Sequence, residues 1–144
     1  MRAERIKHEF VEFIPAELTE ATLYISIPYT TGIHLCLCGC GERVVTPLSP
    51  TDWRLIFDGE TVSLDPSLGN WSFDCQSHYL IRHNRVIWAQ RWSPAKIEAG
   101  RARDRRAKEQ YFGEARSREK DREAPDGAAS RPNWLRRQLA RLRR

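Results

Sequence analysis

All four cysteines of this chain fall in two short clusters, Cys36-Leu-Cys38-Gly-Cys40-Gly41 and Cys75-Gln-Ser-His78. Thiolate and imidazole are the ligands Zn2+ prefers, and closed structural zinc sites are usually tetrahedral. The Cys75-x-x-His78 spacing suits a single metal-binding turn, and Gly39 and Gly41 permit the tight backbone of the first cluster. Six side chains compete for four positions: His34, Cys36, Cys38, Cys40, Cys75 and His78. Two sets fit. One is Cys38, Cys40, Cys75 and His78; the other is the four cysteines, with His78 left free. Either set staples segments about 35 residues apart, in a body too small to rely on burial alone. No HExxH or comparable acid/base motif accompanies the clusters, so the expected metal is structural rather than catalytic.

The 144 residues suffice for one modest domain and an extension. No run of about 18 apolar residues occurs, which excludes a transmembrane helix. The N-terminal MRAERIKHEF lacks an apolar signal-peptide core, so a reducing cytoplasm is expected, where clustered cysteines favour metal over disulfides. The formal charge of +5 is unevenly spread. Residues 1–92 hold eight Lys/Arg against eleven Asp/Glu, and residues 93–144 hold sixteen against eight. A mildly acidic body therefore precedes a basic tail.

The body reads as short strands with frequent turns: a small, mainly β, antiparallel domain stabilised by zinc over residues 5–92. Glu9–Phe13 alternates polar and apolar side chains, and Thr22–Ile27 is β-rich and ended by Pro28. Ile33–Leu37 enters the first cysteine cluster and Arg43–Thr46 leaves it. Leu55–Leu64 carries Asp58-Gly59 between two β-rich runs, the strongest hairpin signal in the chain. Tyr79–Trp88 reads as a second hairpin turning at His83-Asn84, and Asp65–Asn70 as a loop returning toward Cys75. Trp53, Trp71, Trp88 and Trp92 are expected in the core.

At Ser93 the period changes. Ser93-Pro94 supplies an N-cap followed by proline at the first helical position, and Gly113 is a plausible stop, so a charged helix is expected over 93–113. Its apolar stripe is too thin for a core helix. A flexible linker is expected over 114–132 and a basic amphipathic helix over 133–144. That last segment is arginine-rich, free of acids and striped by Leu135, Leu139 and Leu142; its expected role is contact with a partner or an anionic surface.

The stretches His8–Leu18, His34-Leu-Cys-Leu-Cys-Gly-Cys-Gly41, Val45–Trp53, Asp58–Leu68, Gly69-Asn-Trp71 and Cys75-x-Ser-His-Tyr79 together resemble a small bacterial domain-of-unknown-function family. The resemblance spans residues 8–112. Members are often encoded beside bacterial homologues of ubiquitin-activating and ubiquitin-conjugating enzymes, in loci linked to phage defence. The resemblance implies a zinc-type cysteine cluster and a role next to ubiquitin-like conjugation. The partners it implies are the ubiquitin-like protein and its activating and conjugating enzymes.

Within that frame the residues leave two readings of function open. If the four cysteines hold the metal, His78 can serve as general base for a serine nucleophile in a deubiquitinase-like peptidase. Ser77 is adjacent to His78, and in an extended chain the two point to opposite faces. A serine from elsewhere is then needed: Ser67, Ser49 or Ser63, with Asp52 as an orienting group. No GxSxG elbow marks any of them. If His78 is instead a ligand, Ser77 caps the metal turn and the protein is a non-catalytic adaptor.

Overall fold

The computed structural model describes residues 1–123. Eight strands and one helix follow in order: β1 Lys7–Phe10, β2 Thr22–Ser26, β3 Thr31–Leu35, β4 Arg43–Pro47, β5 Arg54–Phe57, β6 Val62–Gly69, β7 His78–Arg82, β8 Arg85–Trp88 and α1 Pro94–Glu123. They form two four-stranded sheets, ordered β1-β2-β3-β4 and β5-β6-β7-β8. All pairings are antiparallel except β1 with β2. The fold is therefore mainly β, as the turn-punctuated alternation of the body predicts.

Period-two patterning places the core. Leu23 and Ile25 of one sheet join Val62, Leu64, Leu68, Tyr79 and Ile81 of the other in a single buried cluster. Every residue of β2 is buried, and the chain just after β1 stays bonded along its edge. There Val11 N–H donates to Ile25 O at 2.9 Å and Ser26 Oγ donates to Glu12 O at 2.6 Å. The N-terminal segment ties the sheets together: Ile6 N–H donates to Asn84 O at 2.9 Å and Val86 N–H to Glu4 O at 2.8 Å.

Both expected hairpins form. His83 and Asn84 take positive φ angles of 47° and 59°, the left-handed pair that a two-residue turn between right-twisted strands requires. At the other turn Asp58 Oδ1 accepts from the N–H groups of Glu60 at 2.9 Å and Thr61 at 2.6 Å, and Oδ2 accepts from the Thr61 hydroxyl. These bonds, that from the Thr61 hydroxyl foremost, hold the Asp58 carboxyl well below the usual carboxylate range. A depressed folded-state value means the carboxylate's contribution is fully present above the unfolded pKa of 3.8 and is lost as pH falls from there through the lower folded-state value. Asp58→Asn should therefore lower the melting temperature most at neutral pH and by a smaller amount at about pH 2.5, where part of the carboxylate's contribution is already lost. Equal drops at the two pH values would show that the turn does not depend on the charge.

Three expectations need correction. Residues 65–69 are not loop but the second half of β6, where the pairing register with β7 shifts between Leu64 and Leu68. Pro66 sits at that irregularity, where a residue without an N–H is tolerated. The helix expected over 93–113 runs through Gly113 to Glu123, so residues 114–123 of the expected linker are helical. Gln110 Nε2 donates to Glu114 at 3.1 Å and Arg118 lies 3.9 Å from the same carboxylate, and such one-turn pairs carry a helix past a single glycine. The four indoles are half-buried rather than core: Trp53 and Trp88 pack against the core from its edge, while Trp71 and Trp92 lie elsewhere.

The chain divides into two compact units, Met1–Ala107 and Lys108–Arg144. In the second, Tyr111 and Phe112 are exposed and pack edge-to-face on one another. The basic helix expected over 133–144 lies outside the described residues. Among the described residues no helix is long and apolar enough to cross a membrane.

Candidate functional site: a thiol cluster beside a serine–histidine pair

The first cysteine cluster closes the β3–β4 hairpin. Cys36 N–H donates to Glu42 O at 2.7 Å and Gly39 N–H to Cys36 O at 3.0 Å, which curls residues 36–42 into a knuckle. Gly39 and Gly41 adopt φ of 87° and 83°, a region that strains any side-chain-bearing residue. This is why the alternation of cysteine and glycine does not continue as strand, and why three thiols turn toward one point. The second segment, Asn70–Ser77, is a loop between β6 and β7 closed by Asn70 N–H donating to Ser77 O at 2.9 Å. It brings Cys75 to the knuckle.

The four sulfurs lie within 4.8 Å of one another. Cys36 is 3.4 Å from Cys38 and 3.9 Å from Cys75, and Cys40 is 3.7 Å from Cys75. A tetrahedron with metal–sulfur bonds of about 2.3 Å has edges of about 3.8 Å, so the set has the dimensions of a four-thiolate metal site. The electrostatics agree. Burial pushes the Cys38 thiol up to about 12, helped by hydrogen bonding to Cys40 and Cys36, and Cys40 is raised by burial as well. At Cys75 burial also opposes ionisation, but hydrogen bonds from Ser77 and from Cys38 and Cys40 outweigh it and bring the thiol to about 7. Four thiolates this close are stable only around a cation.

Ser77 belongs to this centre. Its Oγ accepts from Asn70 Nδ2 at 2.8 Å and lies within hydrogen-bond distance, 3.1 Å, of Cys36 Sγ. Asn70 Nδ2 also approaches Tyr79 OH at 3.3 Å and Cys36 Sγ at 3.7 Å. Tyr79 OH in turn lies 2.9 Å from His34 Nε2. His34 is fully buried and neutral, burial lowering its pKa to about 4, and it faces the core tyrosine rather than the sulfurs. Polar partners of this kind orient metal ligands and are part of such a site's design.

His78 does not join the thiols. It starts β7, paired across the ladder with Gly69, and it is buried. Nδ1 lies 2.7 Å from the carbonyl oxygen of Gln90, and Nε2 lies 2.9 Å from Ser67 Oγ. A carbonyl can only accept, so Nδ1 carries the proton and Nε2 presents its lone pair to the serine. That tautomer is the one a general base needs. Among the serines weighed from sequence, the fold brings Ser67 to the imidazole. Ser49 donates instead to Asp52 at 2.7 Å, and Ser63 accepts from His83 N–H at 2.9 Å.

Trp71 and Trp92 wall the imidazole. Their rings stack 5.5 Å apart at 24°, and their centroids lie 5.0 and 5.3 Å from His78. Ser67 and His78 open into a cleft of about 420 Å3, whose far side is formed by Ile97, Gly100 and Arg101 from the start of α1. There Ser93 caps the helix, its Oγ accepting from Lys96 N–H at 3.3 Å. Gly69 is necessary for this wall, since a Cβ there would meet the Trp71 indole at 2.4 Å. Gly69→Ala should displace the ring, costing about 1–3 kcal/mol of stability and changing the near-UV circular dichroism. An unchanged spectrum would mean that Trp71 is not held against the strand. Sequence reasoning missed both indoles as site residues, although Gly69-Asn-Trp71 carried the signal of a close backbone approach. It also missed the Gln90 carbonyl, for which a side-chain sequence holds no sign.

Fold and site together define a β protein in which four thiols that could hold a metal ion gather between the β3–β4 and β6–β7 connections, next to a serine–imidazole pair on β6 and β7. A family model described as "Bacterial ubiquitination-like system serine protease (BubE)" matches residues 10–89, more than half of the chain. The chain belongs to the BubE family, which is part of a bacterial ubiquitination-like system. No curated protein and no solved structure matches it.

Proposed function

We propose that this protein is a serine peptidase that acts on the ubiquitin-like protein of its system, as precursor or as conjugate. The observation that carries the reading is the Ser67 Oγ to His78 Nε2 distance of 2.9 Å, with the imidazole oriented by the Gln90 carbonyl. Ser67 is the nucleophile. Its oxygen attacks the scissile carbonyl carbon as its proton passes to His78 Nε2. His78 then returns that proton to the leaving amine, and an acyl group remains on Ser67. A water molecule, deprotonated by the same nitrogen, releases the acid and restores the serine. The imidazolium formed in each half-reaction is stabilised by its Nδ1–H bond to the Gln90 carbonyl, in the place a carboxylate holds in a triad. The stacked indoles restrict water around the ring, which strengthens every polar contact there.

The metal is Zn2+ in this reading, held by Cys36, Cys38, Cys40 and Cys75, with His78 outside the set. A four-thiolate zinc is closed and redox-inert, so it supplies cross-linking of the two loops rather than Lewis acidity. The test is incubation of the purified full chain with the ubiquitin-like precursor or a conjugate. Cleavage, together with labelling of Ser67 by a serine-reactive fluorophosphonate, is expected. Stable binding without turnover or labelling would make the protein a non-catalytic adaptor instead.

A further inference from the structure

A second cleft, of about 680 Å3, adjoins the one that holds Ser67 and His78. Trp53 and Pro66 line both, so a single wall, one indole and one proline ring, separates them. Pro66 immediately precedes Ser67 in β6. The second cleft is lined by Ile27, Leu48, Pro50 and Leu55 beyond the shared wall. Ile27 is 56% exposed, an unusual position for an isoleucine on a small domain.

The polar groups around this cleft are already engaged with one another. Ser49 Oγ donates to Asp52 Oδ2 at 2.7 Å, and Asp65 is held by Arg54 at 3.1 Å and Arg82 at 3.0 Å. What the cleft offers a ligand is therefore mainly apolar surface, bordered by charged groups that are already paired. Its size is within the range that buries a compact ligand group. An extended polypeptide advances about 3.3 Å per residue, and Pro66 directly precedes Ser67, so a chain seated on Ser67 passes the Trp53–Pro66 wall within a few residues.

We propose that this second cleft is a substrate subsite that takes a large apolar side chain within three residues of the scissile bond. The inference rests on the peptidase reading of Ser67 and His78. It adds the selectivity that a serine–imidazole pair alone lacks: the pair supplies the chemistry, and the Ile27 side of the Trp53–Pro66 wall reads the substrate. A pocket of this kind discriminates by about 10- to 100-fold between fitting and non-fitting side chains.

The test is a digest of a mixture of synthetic peptides, randomised position by position, with cleavage sites read by mass spectrometry. Fluorophosphonate labelling of Ser67 is followed in parallel. Wild-type protein should show Leu, Ile, Met or Phe enriched about tenfold at one position near the cut. Ile27→Glu should remove that preference or turn it toward Lys and Arg, and Ile27→Trp should shift it to small side chains. Labelling at Ser67 in both variants reports that the serine–imidazole pair is still assembled, so that a changed preference is read as a change in the subsite. Ile27 lies in the turn between β2 and β3, so neither change opens the core. The same preference in all three proteins would overturn the subsite while leaving the serine–imidazole pair standing, as would cleavage with no apolar preference. Labelling without cleavage of any peptide would also overturn it as a reader of side chains. Failure of Ser67 to label, with no cleavage, would sink the peptidase reading and the subsite with it.

Discussion

Ser67→Ala should abolish turnover of the ubiquitin-like precursor while leaving the fold intact. The substitution removes one oxygen from a half-buried strand residue and one hydrogen bond, a loss of about 0.5–1.5 kcal/mol. The acyl intermediate, by contrast, has no other atom on which to form. Removing the base should cost on the order of 10²–10⁴ in kcat, the usual contribution of positioned proton transfer. His78→Ala is the less clean variant, since it opens a hole between two indoles packed at 5.0 and 5.3 Å from the ring. His78→Gln keeps most of that volume and lacks a basic nitrogen, so it separates chemistry from packing. Because the two residues act as a unit, Ser67→Ala combined with His78→Gln should be little worse than either alone. Additive losses would mean that they serve different steps, and full activity in Ser67→Ala would mean that another nucleophile acts.

Stripping the metal should have the second-largest effect, and it should reach the serine–imidazole pair through the chain. Structural zinc contributes about 10–16 kcal/mol in small zinc-folded peptides, as much as the entire stability of about 5–15 kcal/mol of an ordinary domain. Cys36→Ser is the sharpest probe, because Cys36 is the buried sulfur and is hydrogen-bonded to Ser77. The variant should bind less than stoichiometric metal and melt far below wild type, and a strong chelator should do the same to the native protein. Only two residues separate Cys75 from His78, and Asn70 closes that loop against Ser77. Loss of metal should therefore free the start of β7 and remove Ser67 labelling in step with the melt. Labelling that persists in fully chelated protein would show that the pair stands without the metal. Since each thiol must shed its proton to bind as thiolate, metal affinity should also fall as the solution is acidified.

Much of the β framework was legible because strand signals are local. The Asp58-Gly59 and His83-Asn84 turns and the cysteine–glycine knuckle each follow from residues within a few positions of one another. The misreadings share an opposite origin. Asp65–Gly69 looks like a loop by composition, yet β7 pairs with it across the register shift, and partner strands outweigh local preference. Gly113 looks like a helix stop, yet charged side chains one turn apart carry α1 past it. Trp71 and Trp92 look like core by residue type, yet no property of an isolated indole says that it will face an imidazole.

The sequence by itself determined that cysteines from two distant clusters would meet as a metal-type site on a small β domain, with His78 either a ligand or free. Ligand chemistry and the glycines at 39 and 41 act over a few bonds, so they can be read without a fold. Which side chains belong to the sulfurs, and which serine meets His78, was decided only by the tertiary structure. Ser77 is next to His78 in the chain but turns to Cys36, whereas Ser67 is eleven positions away and bonds the imidazole. Those choices depend on how β6 and β7 are registered and on where Gln90 places its carbonyl, both matters of chain packing that no spacing of residue types encodes.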